Sequence, residues 1–458
     1  MNPIKINEAV DAVRGELISP GCGLEIRGVN IDTRQLKKGD LFIAIKGERV
    51  DGHDLLEEAE NKGAVAVFVE KDVNHKSDMA IIKVNDTVRA LQDLASAYRK
   101  QFTCPIVAVT GSSGKTTTKD LIKAVLSSRY ETIATKGNKN NHIGLPLTVF
   151  DMDDKTQSAV FEMGMSGLGE IRVLAEIAKP DIAVITNIGT AHLEQLKTRE
   201  NILKAKAEIF STLDMNKTGI INGDDDMLVK IKAEGFKLYK VGVDSKELDL
   251  KCMSYHTDMY GVKMRVLEKA GSQIEEYRFR LPGIHNVYNC LDAIAVGKLL
   301  GLNQKEIQLG LDEYLPGENR MDITSVKNSV VINDSYNANP GSMKSALDVL
   351  KLYKKDDNML VAVLGDMFEI GPDSETYHRE VGAYAKESGV ELILTIGEKS
   401  RFYNEGAEKS GLDRERSIHF EDKLDLLDYL KSLVEKKAVI LIKGSRGMRM
   451  EEYIKSLN

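Results

Sequence analysis

The sequence predicts an α/β protein of three domains. These are a small mixed α/β N-terminal domain, a central P-loop-type domain with a mostly parallel sheet flanked by helices, and a C-terminal Rossmann-like α/β domain. The chain has 458 residues, and domains of roughly 100–200 residues make three the natural expectation. From residue 106 onward, short apolar runs alternate with helical patterns, which is typical of parallel βαβ units. Proline occurs only nine times, so its positions serve to mark boundaries.

The boundaries follow from these patterns. Residues 1–103 contain two apolar runs of strand length, at 64–69 and 80–84, and an amphipathic helix that stops before Cys104-Pro105, since the residue before proline disfavours helix. Residues 104–316 contain strand–turn–helix units and a polar–apolar alternation at 247–281 that predicts a small antiparallel meander. Residues 317–458 begin after Pro316-Gly317 and return to the βα pattern.

Composition excludes several classes of protein. Lys plus Arg number 63 and Asp plus Glu 70, so the formal charge is −7, and no basic surface for nucleic acid is expected. No run approaches the roughly 18 uncharged apolar residues of a membrane span. The charged N-terminus lacks the apolar segment of a secretory signal, and the four widely spaced cysteines predict buried, reduced thiols. These features favour a cytoplasmic protein.

The strongest motif is TGSSGKTTTKD at 110–120, which follows a predicted strand and opens a predicted helix. Glycines let backbone amides approach an anion, and the helix N-terminus adds partial positive charge. Lys115 is then expected to reach the β- and γ-phosphates, and the Thr116 hydroxyl to bind Mg²⁺. Val109 stands where the general pattern has glycine, so the loop is short. The alternative is a Gly/Ser turn with an incidental lysine.

Polar side chains follow the next two strands. Glu162 ends SAVFE and His192 lies beyond DIAVITN, and a carboxylate and an imidazole beside a phosphate loop could hold Mg²⁺. Alone, each has an ordinary alternative, a solvated glutamate and a packed histidine. Lys206, on the following helix, does not stand out by spacing.

The C-terminal third has three polar strand ends of its own, in NDSYNANPGS, GDMFEIG and KGSRGMR. Asp334 and Asn337 suit hydroxyl and amide recognition, and Lys443 suits a phosphate or carboxylate. Turn chemistry alone also favours Asp, Asn, Ser and Gly, but three such turns on one sheet edge favour a ligand-facing edge.

Across essentially the whole chain, these segments resemble the Mur ligases of peptidoglycan synthesis. The segments that carry the resemblance are TGSSGKTTTKD, GNKNNHIGLP, EMGMSGLGEI, TNIGTAHLE, HNVYNCLDA, NDSYNANP and LIKGSRGMRME. The short phosphate loop is the form this family uses. DSYNANP resembles the branch that adds D-alanyl-D-alanine, whereas the DNPR motif of the meso-diaminopimelate-adding branch is absent from the sequence.

The resemblance implies roles for individual residues. Those implied to bind ATP are Gly111, Ser112, Ser113, Gly114, Lys115, Thr116, Thr117, Asn286, Asn289, Arg320 and Asp334. Those implied to bind Mg²⁺ are Thr116, Glu162, His192 and Lys206, the last as a carbamate formed with CO₂. Those implied to contact the uridine diphosphate or the dipeptide are Thr33, Arg34, Gly47, His53, Tyr336, Asn337, Lys443 and Ser445. Lys115, Glu162, His192, Lys206 and Arg320 are implied to be catalytic.

The implied activity is an ATP-dependent amide ligase. It would join D-alanyl-D-alanine to UDP-N-acetylmuramoyl-tripeptide through an acyl phosphate, with residues 1–103 binding the uridine nucleotide, 104–316 binding ATP, and 317–458 binding the amine and closing the site. We expect a monomer with small-molecule partners. The alternatives are a related Mur-type or folylpolyglutamate-type ligase that adds a single amino acid, or a regulatory P-loop ATPase. A dinucleotide-dependent oxidoreductase is disfavoured because no GxGxxG follows a strand.

Overall fold

The structure, a computed structural model, describes residues 1–22, 25–73, 78–271 and 273–457. Within these ranges the strands form three large sheets and one two-stranded ribbon. The predicted α/β class is confirmed, with helices covering mostly parallel sheets. We refer to the residues around the three sheets as the N-terminal, middle and C-terminal parts.

The N-terminal part contains a five-stranded sheet in the order β2-β7-β6-β5-β4. Strands β4 to β7 are parallel, and β2 is antiparallel to β7. Its elements are β1 (Ile4–Lys5), α1 (Ile6–Val13), β2 (Glu16–Ser19), β3 (Glu25–Ile26), β4 (Gly28–Asn30), β5 (Asp40–Ile43), α2 (Leu56–Asn61), β6 (Ala66–Val69), β7 (Ala80–Lys83) and α3 (Thr87–Arg99).

The middle part is built on a nine-stranded sheet in the order β16-β15-β14-β13-β12-β11-β8-β10-β9. Its elements are β8 (Ile106–Thr110), α4 (Lys115–Ser127), β9 (Thr132–Ala134), α5 (Gly144–Val149), β10 (Ser158–Glu162), α6 (Glu170–Ala178), β11 (Ile182–Ile185), α7 (Leu193–Leu196), α8 (Arg199–Ala207), β12 (Thr218–Asn222), β13 (Lys237–Gly242), β14 (Leu250–Asp258), β15 (Gly261–Glu268), β16 (Ile274–Phe279), α9 (Ile284–Leu299) and α10 (Gln304–Glu313). The predicted antiparallel meander is confirmed as β14 to β16.

The C-terminal part contains a six-stranded sheet in the order β17-β18-β22-β19-β20-β21, parallel except for β17. Its elements are β17 (Asp322–Val326), β18 (Ser329–Asn333), α11 (Pro340–Lys351), β19 (Met359–Gly365), α12 (Ser374–Glu387), β20 (Leu392–Ile396), α13 (Arg401–Lys409), β21 (Ser417–Phe420), α14 (Lys423–Leu433), β22 (Ala438–Lys443) and α15 (Glu451–Leu457).

Two sheet edges position the site. In the middle part, β8 lies between β10 and β11, so the chain leaves its carboxyl end at the point where strand order reverses, the usual ligand position in such sheets. In the C-terminal part, β18, β22 and β19 are neighbours, so the turns after them meet at one edge. The polar strand ends expected from the sequence are therefore brought together by sheet order.

The apolar cores are not divided evenly among the parts. One core cluster is continuous from the N-terminal sheet through α3 to one face of the nine-stranded sheet, and Tyr98 of α3 packs against Phe150 with ring centroids 5.4 Å apart. The two faces of the six-stranded sheet have separate cores. All four cysteines are free, but the expectation that they are buried is wrong for Cys22, which is exposed, and only partly right for Cys104.

No helix among the described residues is both long and apolar enough to cross a bilayer.

Candidate active site

The phosphate loop connects β8 to α4 and is held open by two glycines. Gly111 and Gly114 have φ of +152° and +78°, and a Cβ at either would stand 1.9 Å from Thr186 Oγ1 or 2.5 Å from Asn289 Oδ1. Asn187 supports the loop, since its carbonyl and its Oδ1 accept the amides of Ser112 and Ser113, both at 3.0 Å. The amides at the start of α4 remain for a ligand, because the first N–H groups of a helix have no intrahelical partner.

Lys115, the first residue of α4, folds back over this loop. Its Nζ donates to the carbonyl of Gly111 at 2.8 Å. Burial lowers the pKa of Lys115, opposed by the nearby Glu162 and assisted by Arg320. An anionic ligand in the loop would restore the balance of charge around this ammonium.

Glu162 is a buried carboxylate of the site, and both of its oxygens accept hydrogen bonds. It ends β10, is 2% exposed and lies beside Val109 of β8. Its Oε2 accepts the Thr116 hydroxyl at 2.7 Å, and its Oε1 accepts Asn140 Nδ2 at 2.7 Å. The carboxylate is thus fixed next to the hydroxyl that the motif assigns to a metal, so the solvated alternative does not apply.

His192 lies at the start of α7 in the left-handed region, with φ of +64°. Its Nδ1 stands 3.0 Å from Oε2 of Glu369, a residue of the C-terminal part. The proximity of His192 lowers the pKa of Glu369. The packed alternative is excluded because His192 lines the same cavity as Glu162.

Lys206 lies on α8 and is 1% exposed. Its backbone carbonyl accepts the amide of Glu208, whereas its Nζ makes no hydrogen bond or salt bridge with any residue that the structure describes. Burial, and then the charge of Lys115, hold the pKa of Lys206 well below its ordinary value. Burial therefore shifts the balance of this amine toward its neutral, nucleophilic form.

Asn286 and Asn289 face the phosphate loop from the first turns of α9. Asn289 Nδ2 donates to Asn286 Oδ1 at 3.0 Å, and Asn289 Oδ1 accepts the Thr118 hydroxyl at 3.2 Å. Asn286 Nδ2 donates to the carbonyl of Pro282 at 2.8 Å. These bonds fix both amides at the wall of the cavity.

Residues of the C-terminal part reach across to the loop. Arg320 donates to the Thr116 hydroxyl at 3.0 Å, and its guanidinium lies 3.6 Å from the ring centroid of Tyr336. Lys443, 2% exposed, pairs with Asp334 and donates to the carbonyl of Asn337 at 2.8 Å. The buried Lys443–Asp334 pair therefore fixes the turn that presents Tyr336 and Asn337.

A cavity of about 1020 Å³ lies between the middle and C-terminal parts. Most of the predicted residues line it: Ser112, Ser113, Gly114, Lys115, Thr116, Thr117, Glu162, His192, Asn286, Asn289, Arg320, Asp334, Tyr336, Asn337 and Lys443. The predicted residues that are not part of its lining are Gly111, Lys206, Ser445, Thr33, Arg34, Gly47 and His53.

Ser445 supports a loop at the cavity edge. Its Oγ accepts the amide of Phe368 at 2.8 Å, and its own amide donates to the carbonyl of Asp366 at 2.9 Å. With an exposure of 2%, Ser445 shapes the loop after β19.

The N-terminal candidates form a separate group. Thr33 is 5% exposed, whereas Arg34 projects into solvent and pairs with Asp32 at 2.8 Å. The Gly47 amide donates to the Val50 carbonyl at 2.9 Å. His53 is buried, with Nδ1 2.6 Å from Asp51 Oδ1 and Nε2 accepting the amide of Glu70 at 2.9 Å. Its ring therefore secures the loop instead of projecting from it.

The donors beside the phosphate loop fit a magnesium ion bound together with nucleotide. The described residues contain no group of three His, Cys, Asp or Glu side chains arranged to hold a metal alone. Mg²⁺ in nucleotide sites typically uses one or two protein carboxylates or hydroxyls plus phosphate oxygens. Glu162 with Thr116 at 2.7 Å provides that donor set.

Sequence reasoning missed four residues that shape the site. Asn140 orients Glu162, Asn187 supports the phosphate loop, Asn339 donates to Ser113 Oγ at 3.2 Å, and Glu369 approaches His192. Asn187 lies two residues beyond the end of β11, and this strand-end position is a signal that the sequence carries. The other three come near the site only through tertiary packing.

Comparisons with known proteins agree across the chain. Three family models match: "Mur ligase family, catalytic domain" at 25–99, "Mur ligase middle domain" at 109–297, and "Mur ligase, glutamate ligase domain" at 319–446. The UDP-N-acetylmuramoyl-tripeptide--D-alanyl-D-alanine ligase of Bacillus subtilis (strain 168) is 39% identical over 99% of this chain and 98% of its own length.

Solved structures are similar over the same length. MurF from Acinetobacter baumannii has a TM-score of 0.91 at 29% identity, covering 100% of this chain and 99% of that one. MurF ligase from Thermotoga maritima in complex with ADP has a TM-score of 0.82 at 27% identity, covering 94% and 97%. The likeness therefore extends over all three sheets.

Proposed function

The chain belongs to the Mur ligase family, and from that premise we propose that it is the ATP-dependent ligase that joins D-alanyl-D-alanine to UDP-N-acetylmuramoyl-tripeptide. The observation that carries this proposal is the cavity in which a phosphate loop of the middle part faces DSYNANP of the C-terminal part. Full-length relatives of this branch at 39% identity support the same dipeptide acceptor.

The chemistry requires activation of a carboxylate. The terminal carboxylate of the tripeptide attacks the γ-phosphorus of ATP. The bond between that phosphorus and the oxygen bridging to the β-phosphate breaks, ADP departs, and an acyl phosphate is formed. The amine of the dipeptide then attacks the acyl carbon and loses a proton, and inorganic phosphate leaves as the amide forms. Phosphoryl transfer of this kind depends mainly on positioning and charge neutralisation.

The residues of the loop are suited to that first step. Lys115 and the amides at the start of α4 would bind the β- and γ-phosphates, and Gly111, Ser112, Ser113, Gly114 and Thr117 would shape the cradle. Arg320, stacked on Tyr336 and bonded to Thr116, would add a second positive charge from the other side. Asn286 and Asn289 would face the base, with Asp334 holding Lys443 at the opposite wall.

Thr116, Glu162 and His192 are the residues we assign to Mg²⁺. When bound, the ion would neutralise phosphate charge and orient the γ-phosphoryl group. The buried Glu162 is held by Asn140, so its second oxygen is already directed at Thr116.

We assign Lys206 as the site of a carbamate. Its depressed pKa makes the neutral amine available to attack CO₂, and the product would replace an ammonium with an oxygen donor. The charge change would also remove the repulsion between Lys206 and Lys115.

We assign uridine nucleotide binding to residues 1–103, ATP binding to residues 104–316, and amine binding with closure of the site to residues 317–458. Each range contains one of the large sheets, which supports the division. Thr33, Arg34 and Gly47 are assigned to the uridine diphosphate, with His53 securing the loop beside them. Tyr336, Asn337 and Lys443 are assigned to the dipeptide side, with Ser445 supporting them. We further propose that the protein acts in the cytoplasm as a monomer.

The deciding experiment measures ADP release with each acceptor alone and with both together. We expect release only when UDP-N-acetylmuramoyl-tripeptide and D-alanyl-D-alanine are both present, and a product heavier by the dipeptide minus one water. Stimulation by a single amino acid but not by the dipeptide would favour the related ligases instead. ADP release without any acceptor would favour a regulatory ATPase.

A further inference from the structure

The loop after β19 brings a carboxylate of the C-terminal part to a residue of the middle part. Glu369 Oε2 lies 3.0 Å from His192 Nδ1. The two parts also meet through their backbones, since the amide of Glu194 donates to the carbonyl of Glu369 at 3.4 Å. Glu369 is far in sequence from both His192 and Glu194, so the contact exists only while the two parts are together.

The loop that carries Glu369 is rigidly held by its own part. The Met367 amide donates to His378 Nε2 at 3.1 Å, and the Phe368 amide donates to Ser445 Oγ at 2.8 Å. Met367 and Ile370 are each 2% exposed. Glu369 therefore projects from a fixed base, although its own side chain is about half exposed.

Both members of the pair have unfavourable backbone geometry. Glu369 has φ of +61° and His192 has φ of +64°. The left-handed region is unfavourable for a non-glycine residue because its Cβ approaches the following carbonyl oxygen, and such residues concentrate at functional sites. Glu369 and His192 both adopt this conformation where the two parts meet, which indicates that their contact has a functional role.

The ring nitrogens of His192 indicate what the pair does. Histidines that bind metals commonly direct their other nitrogen at a carboxylate, which fixes the tautomer and the ring orientation. Glu369 occupies that position at Nδ1, so Nε2 is left for the cavity that His192 lines. Nδ1 stands 3.0 Å from Oε2 without the alignment of a hydrogen bond, so the pair is a close approach of the two groups.

We propose that Glu369 is a positioning residue, supplied by the C-terminal part, that orients His192 toward the cavity as the two parts close. This inference rests on the proposed metal role of His192. It makes metal binding sensitive to closure, because the carboxylate and the imidazole belong to parts with separate cores.

The test measures Mn²⁺ binding by electron paramagnetic resonance in the presence of a non-hydrolysable ATP analogue. Glu369→Gln, which keeps the side-chain shape and removes the charge, should weaken Mn²⁺ binding about ten-fold. Glu369→Asp should lie between it and the unaltered protein. Affinity for the analogue without metal should stay the same in both variants.

Glu375→Gln is the matched control, since Glu375 lies on α12 of the same part and is similarly exposed, and among the described residues it pairs only with Arg379 and Lys399. Its Mn²⁺ affinity should be unchanged. If His192→Ala weakens Mn²⁺ binding but Glu369→Gln does not, the inference is overturned. If His192→Ala also has no effect, the metal role of His192 and this inference both fall, while amide formation by the unaltered protein would still support the proposed ligase.

Discussion

At the scale of single residues, Lys115 and Lys206 are two lysines with few polar partners, Lys115 half-buried and Lys206 fully buried. Lys115 is satisfied only by the carbonyl of Gly111, and Lys206 by no described residue. Burial lowers the pKa of both lysines and so disfavours their charged forms. The two are coupled, because the charge of Lys115 disfavours an ammonium at Lys206.

Replacing Lys115 by alanine should remove the charge that neutralises the transferred phosphoryl group. We expect Lys115→Ala to reduce ADP formation by at least about a hundred-fold without lowering the melting temperature. Lys123→Ala, on the exposed side of the same helix, should keep normal turnover. Near-normal turnover in Lys115→Ala would contradict the phosphate-loop assignment.

Replacing Lys206 by alanine should remove the carbamate and leave space where its oxygens would stand. We expect Lys206→Ala to lose at least about ten-fold in activity and to recover part of it when formate or acetate is added. Turnover at increasing carboxylate concentration measures the recovery. Full activity of the variant without any added carboxylate would remove the carbamate from the mechanism.

At the scale of elements, the turn from β8 into α4 is the most constrained segment of the site. Gly114 is its pivot, and Asn289 faces it from α9 while bonded to both Asn286 and Thr118. Those bonds prevent Asn289 from moving aside. The shape of the phosphate loop is thus set jointly by its own glycines and by a helix much later in the chain.

Gly114→Ala should therefore strain the backbone and also bring the new Cβ into steric conflict with Asn289 Oδ1. We expect a loss of about 1–2 kcal/mol in the free energy of unfolding from the left-handed backbone alone, and nucleotide binding weakened beyond detection at micromolar concentrations. Gly137→Ala is the control, since Gly137 also has a positive φ of +58° but nothing lies within 4 Å of the position that an added Cβ would take. It should show the strain in chemical denaturation while calorimetry finds ATP binding unchanged. Equal nucleotide affinities in the two variants would rule out the collision.

At the scale of the whole molecule, the N-terminal and middle parts share one apolar core, whereas the C-terminal part has its own. The contacts between the middle and C-terminal parts at the cavity include polar pairs such as Asn339 with Ser113 and Arg320 with Thr116. Polar interfaces of this kind permit relative motion of domains. The segment between α10 and β17 is the connection, and Leu315 within it is 82% exposed.

Limited proteolysis should reflect this arrangement. We expect the first cut by a protease of broad specificity within residues 315–320, giving fragments of about 316 and 142 residues, and no early cut near residues 103–105, which adjoin the shared core. ATP with Mg²⁺ should slow cleavage by drawing the two parts together. Mass spectrometry of the fragments identifies the site, and a first cut near residue 104 would contradict the shared rigid core.

The predicted elements of the middle part agree closely with the structure because their signals are local. IVAVT at 106–110 is β8 as predicted, and the helix after GSSG begins at Lys115. The N-terminal part was predicted less completely, since strands of two to four residues such as β1 and β3 carry too little periodicity to be recognised. Its short pairings depend on neighbouring strands instead of local pattern.

The sequence by itself determined the phosphate loop, the strand-end position of Glu162 and the family, because glycine spacing, strand length and motif order are properties of neighbouring residues. Only the tertiary structure decided that Asn140 holds Glu162, that Arg320 stacks on Tyr336 beside Thr116, and that Glu369 meets His192. These contacts join residues that are between 16 and 204 positions apart, the largest separation being that of Arg320 and Thr116. Sheet order and domain approach create such contacts, and no local pattern records them.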